Sequence, residues 1–208
     1  MRPTLFPIRR PRVGISVSAS ALSLVALRRP WFRRPIVKQV LERPLPSGLL
    51  KVSATEPHIT DLDAFAQELR ALTEGLSERT IALSVPNRAM HMGVFAFDRF
   101  PDDPEERAGL IKWRFREDLN LTIGDARVMM QIFPAGTRTQ VLAVAVRQTI
   151  LDQYEDVCAR AGLIPVSMGF SHLQLIGLYR RLMKGARRLC VMHWAGDEFM
   201  LLLFDQGQ

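Results

Sequence analysis

The chain has 208 residues, of which 48% are hydrophobic and 24% are charged. This composition is typical of a folded globular protein and excludes disordered and fibrous classes. The formal net charge of +7 is uneven, because residues 1–43 contain ten arginines or lysines and a single acid, Glu42. Cys158 and Cys190 are the only cysteines. Two cysteines make no disulfide framework and suit a reducing compartment.

An uncharged segment, VGISVSASALSLVAL, covers residues 13–27 between arginine-rich flanks. A basic start, an apolar middle and small residues are also the parts of a secretory signal, which stays an alternative. As a helix the segment would rise only about 22 Å, less than the ~30 Å hydrocarbon core of a membrane. Val13, Ile15 and Val17 alternate with glycine and serine. This period of two predicts two strands joined by a tight turn at residues 18–21.

The next elements are predicted from spacing. A third strand is expected over residues 36–45, and a strand that ends at Pro86-Asn87 is expected from residue 79. Between them Asp61 precedes a helix whose apolar residues recur at helical spacing: Leu62, Phe65, Leu69, Leu72 and Leu76. The first ninety residues therefore read β-β-β-α-β.

A second unit begins with an alternating strand near residue 92, followed by a helix from Pro104 to about Leu119 with four acids at its start. Two strands and a helix ending at Gly162 complete a β-α-β-β-α order, in which Phe115 and Leu119 are expected to face the sheet. A strand, a helix and an apolar hairpin follow. Strands mixed with helical crossovers predict an α/β fold, or mixed α+β, with a mixed sheet.

Motifs of enzyme chemistry are absent from the sequence. It contains no P-loop, no Gly-x-Ser-x-Gly elbow and no His-Glu-x-x-His helix. Cys190 and His193 have the spacing of two metal ligands, but a zinc site needs three or four. The acids of the segment 100–109 suit the positive end of a helix dipole. We therefore predict no catalytic residue, no metal site and no cofactor.

The order and wording of several segments resemble the PilM family of type IV pilus assembly proteins, relatives of FtsA. VGISVSASALSLVAL is similar to the family's opening hairpin, and TIALSVPNRAMHMGVFAF is similar to its Val-Ala-Val-Pro-Gly segment. Residues 100–147 resemble its inserted β-α-β-β-α subdomain, and LDQYEDVCARAGLIPVSMGFSHLQLIGLYR resembles the passage that follows. The resemblance covers residues 13–203.

The resemblance implies an actin-like, ribonuclease H-like fold and a division of the chain. Residues 1–12 would be a basic arm, 13–89 the first actin-like subdomain, and 90–160 the inserted β-α-β-β-α subdomain. Residues 161–208 would hold a return helix and only the start of the second actin-like half, so that the C-terminal half is expected to be truncated.

The resemblance also implies a degenerate nucleotide site. Ser16 stands where the family's metal-binding Asp is expected and Ser18 where a Gly is expected, in a turn with Ala19 and Ser20. His193 stands where the Asp of the second phosphate hairpin is expected. Because a serine hydroxyl cannot supply the charge that Mg²⁺ needs, we expect no ATPase activity and no bound nucleotide.

The function implied is that of a non-catalytic scaffold in a type IV pilus or type II secretion-like platform, cytoplasmic and peripheral to the inner membrane. Its partner would be the tail of a PilN-like inner-membrane protein, bound around Val85, Pro86, Asn87 and Arg88. The basic arm would touch anionic membrane, and no nucleic acid partner is expected. Two alternatives stay open: an ATPase with atypical phosphate loops, and a basic-arm module for nucleic acid or anionic membrane.

Overall fold

The computed structural model of the chain describes residues 11–28, 34–121, 124–135, 137–179, 188–195 and 198–205. It is a mixed α/β structure in which ten strands and four helices follow in chain order. None of the helices formed by the described residues is long and apolar enough to cross a membrane. The elements are β1 (Val13–Val17), β2 (Ala21–Arg28), β3 (Ile36–Pro44), α1 (Leu62–Leu72), β4 (Thr80–Val85), β5 (Met90–Phe97), α2 (Pro104–Leu119), β6 (Ala126–Ala135), β7 (Arg138–Arg147), α3 (Gln148–Arg160), β8 (Ile164–Phe170), α4 (Ser171–Tyr179), β9 (Arg188–Ala195) and β10 (Glu198–Asp205).

The described residues form two compact units. Unit 1 contains those up to residue 51 together with 58–86 and 153–169, and unit 2 contains 52–57, 87–152 and those from 170 onward. Unit 1 therefore holds β1 to β4, α1 and nearly all of β8. Unit 2 holds β5 to β7, α2, α4, β9 and β10.

A five-stranded sheet in the order β3-β2-β1-β4-β8 organises unit 1. Strand β1 pairs antiparallel with β2 and parallel with β4. The turn between β1 and β2 confirms the strand-turn-strand prediction for residues 13–27. Because β1 is the middle strand, the uncharged segment that opens the fold lies at the centre of this sheet.

One face of this sheet is apolar and buried. The register places Val13, Ile15 and Val17 of β1 beside apolar residues of β2 and β4 on the same face. Helix α1 contributes Phe65 and Leu69, and the Asp61 side chain caps its start by accepting from two backbone N–H groups. The helix predicted after Asp61 is confirmed. Because strand residues alternate between the two faces of a sheet, the apolar residues of β1, β2 and β4 lie together in the core. The buried strand residues of this face are Val13, Ile15, Val17, Leu22, Leu24, Ala26, Ile81, Leu83 and Val85.

A separate three-stranded antiparallel sheet, in the order β5-β7-β6, organises unit 2. Helix α2 supplies Ile111 and Phe115 to its core, where the rings of Phe95 and Phe115 meet edge to face with centroids 5.2 Å apart. The Asp103 side chain caps the helix by accepting from the backbone N–H groups of Glu105 and Glu106, and Pro104 is the first residue of the helix. The predicted order β-α-β-β-α is present along the chain, but its last helix, α3, is divided between the two units after residue 152.

The prediction for the inner face of α2 is correct at Phe115, which is fully buried, and wrong at Leu119. The side chain of Leu119 is 43% exposed. The helix ends there, because Asn120 takes a left-handed conformation with φ 53° and its N–H bonds to the carbonyl of Phe115. Helical spacing places Leu119 on the inner face, but it could not show that the last turn of the helix lies outside the core.

The final elements are helix α4 and the hairpin of β9 and β10. The two strands pair antiparallel, and the register places Trp194 opposite Phe199 and Met192 opposite Leu201. These four side chains share one face and are all exposed. The hairpin predicted for this region is confirmed, whereas residues 180–183 of the predicted helix lie outside the described residues.

Candidate functional site

The turn between β1 and β2, where the resemblance implies a degenerate nucleotide site, is closed by its own hydrogen bonds. The N–H of Ser18 donates to the carbonyl of Ala21 at 2.9 Å, and the N–H of Ala21 donates to the Ser18 hydroxyl at 3.1 Å. The Ser18 hydroxyl also reaches the Ala21 carbonyl at 3.0 Å. The carbonyl of Ser20 accepts from the N–H of Leu45 at 2.8 Å. Ser18, Ala19 and Ser20 are exposed, but two of the turn's four amides are already used within it.

Ser16 lies in a row of polar side chains that crosses the five-stranded sheet. Its register partners are Ser23 on β2 and Ser84 on β4, and Ser23 in turn lies opposite Glu42 on β3. The row therefore holds three hydroxyls, with its single carboxylate at the far end. The buried hydroxyl of Ser84 has no hydrogen-bond partner among the described residues. No carboxylate on the strands paired with β1 replaces the Asp that a metal-nucleotide site would need.

The second hairpin places the backbone of His193 in β9, opposite Met200. Its neighbour Trp194 is 77% exposed. The turn residues 196 and 197, which would approach a phosphate, lie outside the described residues, as does the arm up to residue 10. The predicted roles of His193 and of the basic arm therefore stay predictions.

The predicted partner segment, residues 85–88, differs strongly in exposure along its length. Val85 and Pro86 are buried, Asn87 is half-buried and Arg88 is exposed. The chain passes from unit 1 to unit 2 between Pro86 and Asn87. Of these four side chains, only that of Arg88 is well placed to meet another molecule.

Asn87 has a structural role inside unit 2, at the start of α4. Its Oδ1 accepts from the backbone N–H of His172 at 3.1 Å, and its Nδ2 donates to the hydroxyl of Ser171 at 3.0 Å. An amide oxygen that accepts from the first turn of a helix caps that helix. A substitution of Asn87 would therefore disturb α4 as well as any contact made by this segment.

A buried polar cluster in unit 1 was missed by the sequence analysis. Nδ1 of His58 lies 2.9 Å from the hydroxyl of Tyr154, and both residues are fully buried. The Gln153 side chain accepts from the N–H groups of His58 and Ile59 and donates to the carbonyl of Ile59. Burial raises the pKa of the Tyr154 hydroxyl, which therefore stays neutral. The cluster fastens the loop before α1 to helix α3.

A second missed residue is Arg114 of α2. Its guanidinium carbon lies 5.6 Å from the Phe95 ring centroid and 5.7 Å from that of Phe97, so the cation rests on two aromatic rings of β5. One terminal nitrogen bonds Asp118 at 2.8 Å. The buried Nε has no acceptor among the described residues. The helical pattern does not show that Arg114 packs on aromatic rings while Arg116 forms an exposed ion pair with its neighbour Glu117.

No protein-family model matches the chain, and no curated protein sequence matches it. Solved structures do match. The PilM–PilN type IV pilus biogenesis complex matches over 95% of this chain, with a TM-score of 0.75 and 23% identity. The cytoplasmic domain of EpsL, an inner-membrane component of the type II secretion system of Vibrio cholerae, matches over 93%, with a TM-score of 0.54 and 8% identity.

These matches show the fold. The chain has the mixed α/β, actin-like fold of PilM, which confirms the fold predicted from the sequence. It spans 59% of the length of the matched chain of the PilM–PilN complex and 70% of the EpsL domain.

Proposed function

We propose that this protein is a non-catalytic scaffold of a type IV pilus or type II secretion-like assembly platform. It binds the cytoplasmic tail of a PilN-like inner-membrane protein and acts at the cytoplasmic side of that membrane. The observation that carries the proposal is the match to the PilM–PilN complex over 95% of this chain. The match to EpsL supports the same class of platform, because the matched structure is the cytoplasmic domain of an inner-membrane component of a type II secretion system.

The non-catalytic part of the proposal is supported by the chemistry of the first hairpin. Ser16 stands where the resemblance implies a carboxylate, and its neighbours in register on both sides are serines. The amide and hydroxyl of Ser18 are engaged with Ala21. Phosphate-binding turns offer free backbone N–H groups and a metal ligand nearby, and this turn offers few of either.

The test is binding of the tail peptide and of MgATP to the full chain, measured by calorimetry. We expect the chain to bind a synthetic peptide of the cytoplasmic tail of a PilN-like protein from the same organism. Arg88→Glu is expected to weaken this binding by about tenfold, because it reverses the charge of the exposed end of the segment. Arg99→Glu, an equally exposed arginine of unit 2, is the matched control and should bind as the unaltered chain does.

The outcomes separate the candidate functions. Micromolar binding of MgATP that is lost in Ser16→Ala or Ser18→Ala would contradict the scaffold proposal and favour an ATPase. The absence of peptide binding, combined with retention on anionic vesicles that falls steeply with salt, would instead favour the basic-arm module. Peptide binding without a heat of MgATP binding would support the scaffold.

A further inference from the structure

The outer strands of the two sheets differ in how they are protected against pairing with another chain. An outer strand exposes unpaired N–H and C=O groups, and proteins commonly block such an edge with charged residues or proline. Strands β3, β6 and β8 are outer strands that each carry such residues. The blocking residues are Lys38, Glu42, Arg43 and Pro44 in β3, Arg127 and Pro134 in β6, and Pro165 in β8.

Strand β5 is the fourth outer strand of the five-stranded and three-stranded sheets, and it carries neither proline nor a charged residue that would block its edge. Its eight residues, MHMGVFAF, include no proline, lysine, arginine, aspartate or glutamate. Burial and the nearby Arg147 lower the pKa of His91, so this residue is neutral at physiological pH. Strand β7 pairs with one edge of β5, and no described strand pairs with the other. The outer edge of β5 is therefore unpaired with any described strand, eight residues long and uncharged.

The side chains on the two sheet faces beside this edge determine what kind of segment can bind there. On the face turned away from α2, Met92 and Val94 are 41% and 67% exposed and form an apolar surface along the strand. On the other face the guanidinium of Arg114 rests on the rings of Phe95 and Phe97. Its charge is already balanced by Asp118, while its Nε–H still lacks an acceptor among the described residues. This surface is complementary to an uncharged extended backbone with apolar side chains.

We propose that an uncharged, extended segment of the partner's tail adds to the outer edge of β5 as a fourth strand. Backbone hydrogen bonds to the unpaired groups of β5 hold the segment, as in strand addition to other open edges. Alternate apolar side chains of the segment lie beside Met92 and Val94. The inference rests on the proposed function, because the segment is taken from the PilN-like tail.

Amide hydrogen exchange of the full chain, with and without the synthetic tail peptide, tests the position directly. The outward amides of residues 90–97 are expected to exchange about tenfold more slowly when the peptide is bound, because each gains a partner. The amides of β6, the other outer strand of the same sheet, should not change. Affinity should fall with salt less steeply than binding through the basic arm would, since the added strand uses no ion pair and Arg88 supplies at most one.

One variant with a matched control tests the contacts. Val94→Lys places a charge on the edge strand, and a decrease in peptide affinity of about tenfold is expected. Met129→Lys, on the same sheet face of β6, is the control. Circular dichroism checks that both variants are folded.

The failures can be told apart. If the unaltered chain does not bind the tail peptide, the proposed function itself is contradicted. If it binds the peptide but residues 90–97 gain no protection, and Val94→Lys binds as tightly as Met129→Lys, strand addition at β5 is overturned while the scaffold function stands. Protection confined to the β1–β2 turn or to β3 would likewise overturn this inference alone.

Discussion

The five-stranded sheet of unit 1 and the three-stranded sheet of unit 2 show two ways of treating an exposed strand. The outer strands of the first sheet carry lysine, arginine, glutamate or proline, whereas β5 of the second has eight residues without any of them. Edges are costly to leave open because they invite aggregation. Among the described residues, three of the four outer strands of the two larger sheets are blocked and one is not, which indicates that this strand has a use.

The interiors of the two units differ as well. Unit 2 packs an apolar cluster centred on Phe95 and Phe115. The guanidinium groups of Arg107 and Arg114 stack on aromatic rings of this unit. Unit 1 adds a buried polar cluster, in which His58 and Tyr154 are bonded and Gln153 holds the neighbouring backbone. Apolar cores tolerate changes of shape poorly, while polar cores are sensitive to the loss of a single partner. Substitutions should therefore act differently in the two units.

The largest effect is expected at Phe115 of unit 2. Phe115→Ala removes a fully buried ring from the contact with Phe95, and the free energy of unfolding should fall by about 3–5 kcal/mol. Leu119→Ala, four residues later on the same helix, should cost less than about 1 kcal/mol, since that side chain is 43% exposed. Urea denaturation followed by circular dichroism measures both. Equal losses would show that the end of α2 packs more deeply than the structure indicates.

The same substitution should have opposite signs in the two sheets. A methyl group at Gly93 of β5 would lie 2.6 Å from Cζ of Phe95, whose ring is held by Phe115, so Gly93→Ala should cost about 1–3 kcal/mol. A methyl group at Gly14 of β1 meets no atom within 4 Å. Gly14→Ala should therefore stabilise the protein by about 0.5–1 kcal/mol, because alanine loses less backbone entropy than glycine. Thermal denaturation of the two variants compares the signs, and a stabilised Gly93→Ala would contradict the packing at β5.

In the polar core of unit 1, Tyr154→Phe removes the hydroxyl that lies 2.9 Å from Nδ1 of His58 and should cost about 1–3 kcal/mol. Because burial raises the pKa of Tyr154 above its usual value of 10.0, the unfolded chain ionises first, and this residue's share of stability is lost as pH rises above 10. The phenylalanine variant should lack that alkaline loss. Urea denaturation at pH 8 and at pH 10.5 measures both effects, and an unchanged alkaline slope in the variant would assign it to other groups.

The order of strands and helices could be predicted, because alternating and helical spacing are properties of short segments. The starts of helices α1 and α2, after Asp61 and at Pro104, could be predicted for the same reason. The buried cluster could not be predicted, since His58 and Tyr154 are 96 residues apart and only the packing of α3 brings them together. The open edge of β5 had a visible signal, the absence of charge and proline, but that signal acquires meaning only once the pairing order makes β5 an outer strand.

The smallest effect expected concerns His91, which decides whether the open strand is charged. Burial, and then the charge of Arg147, lower its pKa, so the folded protein resists protonation while the unfolded chain takes up a proton near pH 6.5. Stability from this residue is thus lost as pH falls below 6.5. Arg147→Gln should raise the pKa of His91 only part of the way, since burial is the larger cause; it also frees Asp125, 3.7 Å from Arg147. Proton NMR of the His91 ring measures the change, with Arg116→Gln as the control that should leave it unaltered.

A protonated His91 would place a charge on β5, so tail binding should weaken at a higher pH in Arg147→Gln than in the unaltered chain. An identical pH dependence of the two would show that the charge of this strand has no part in binding.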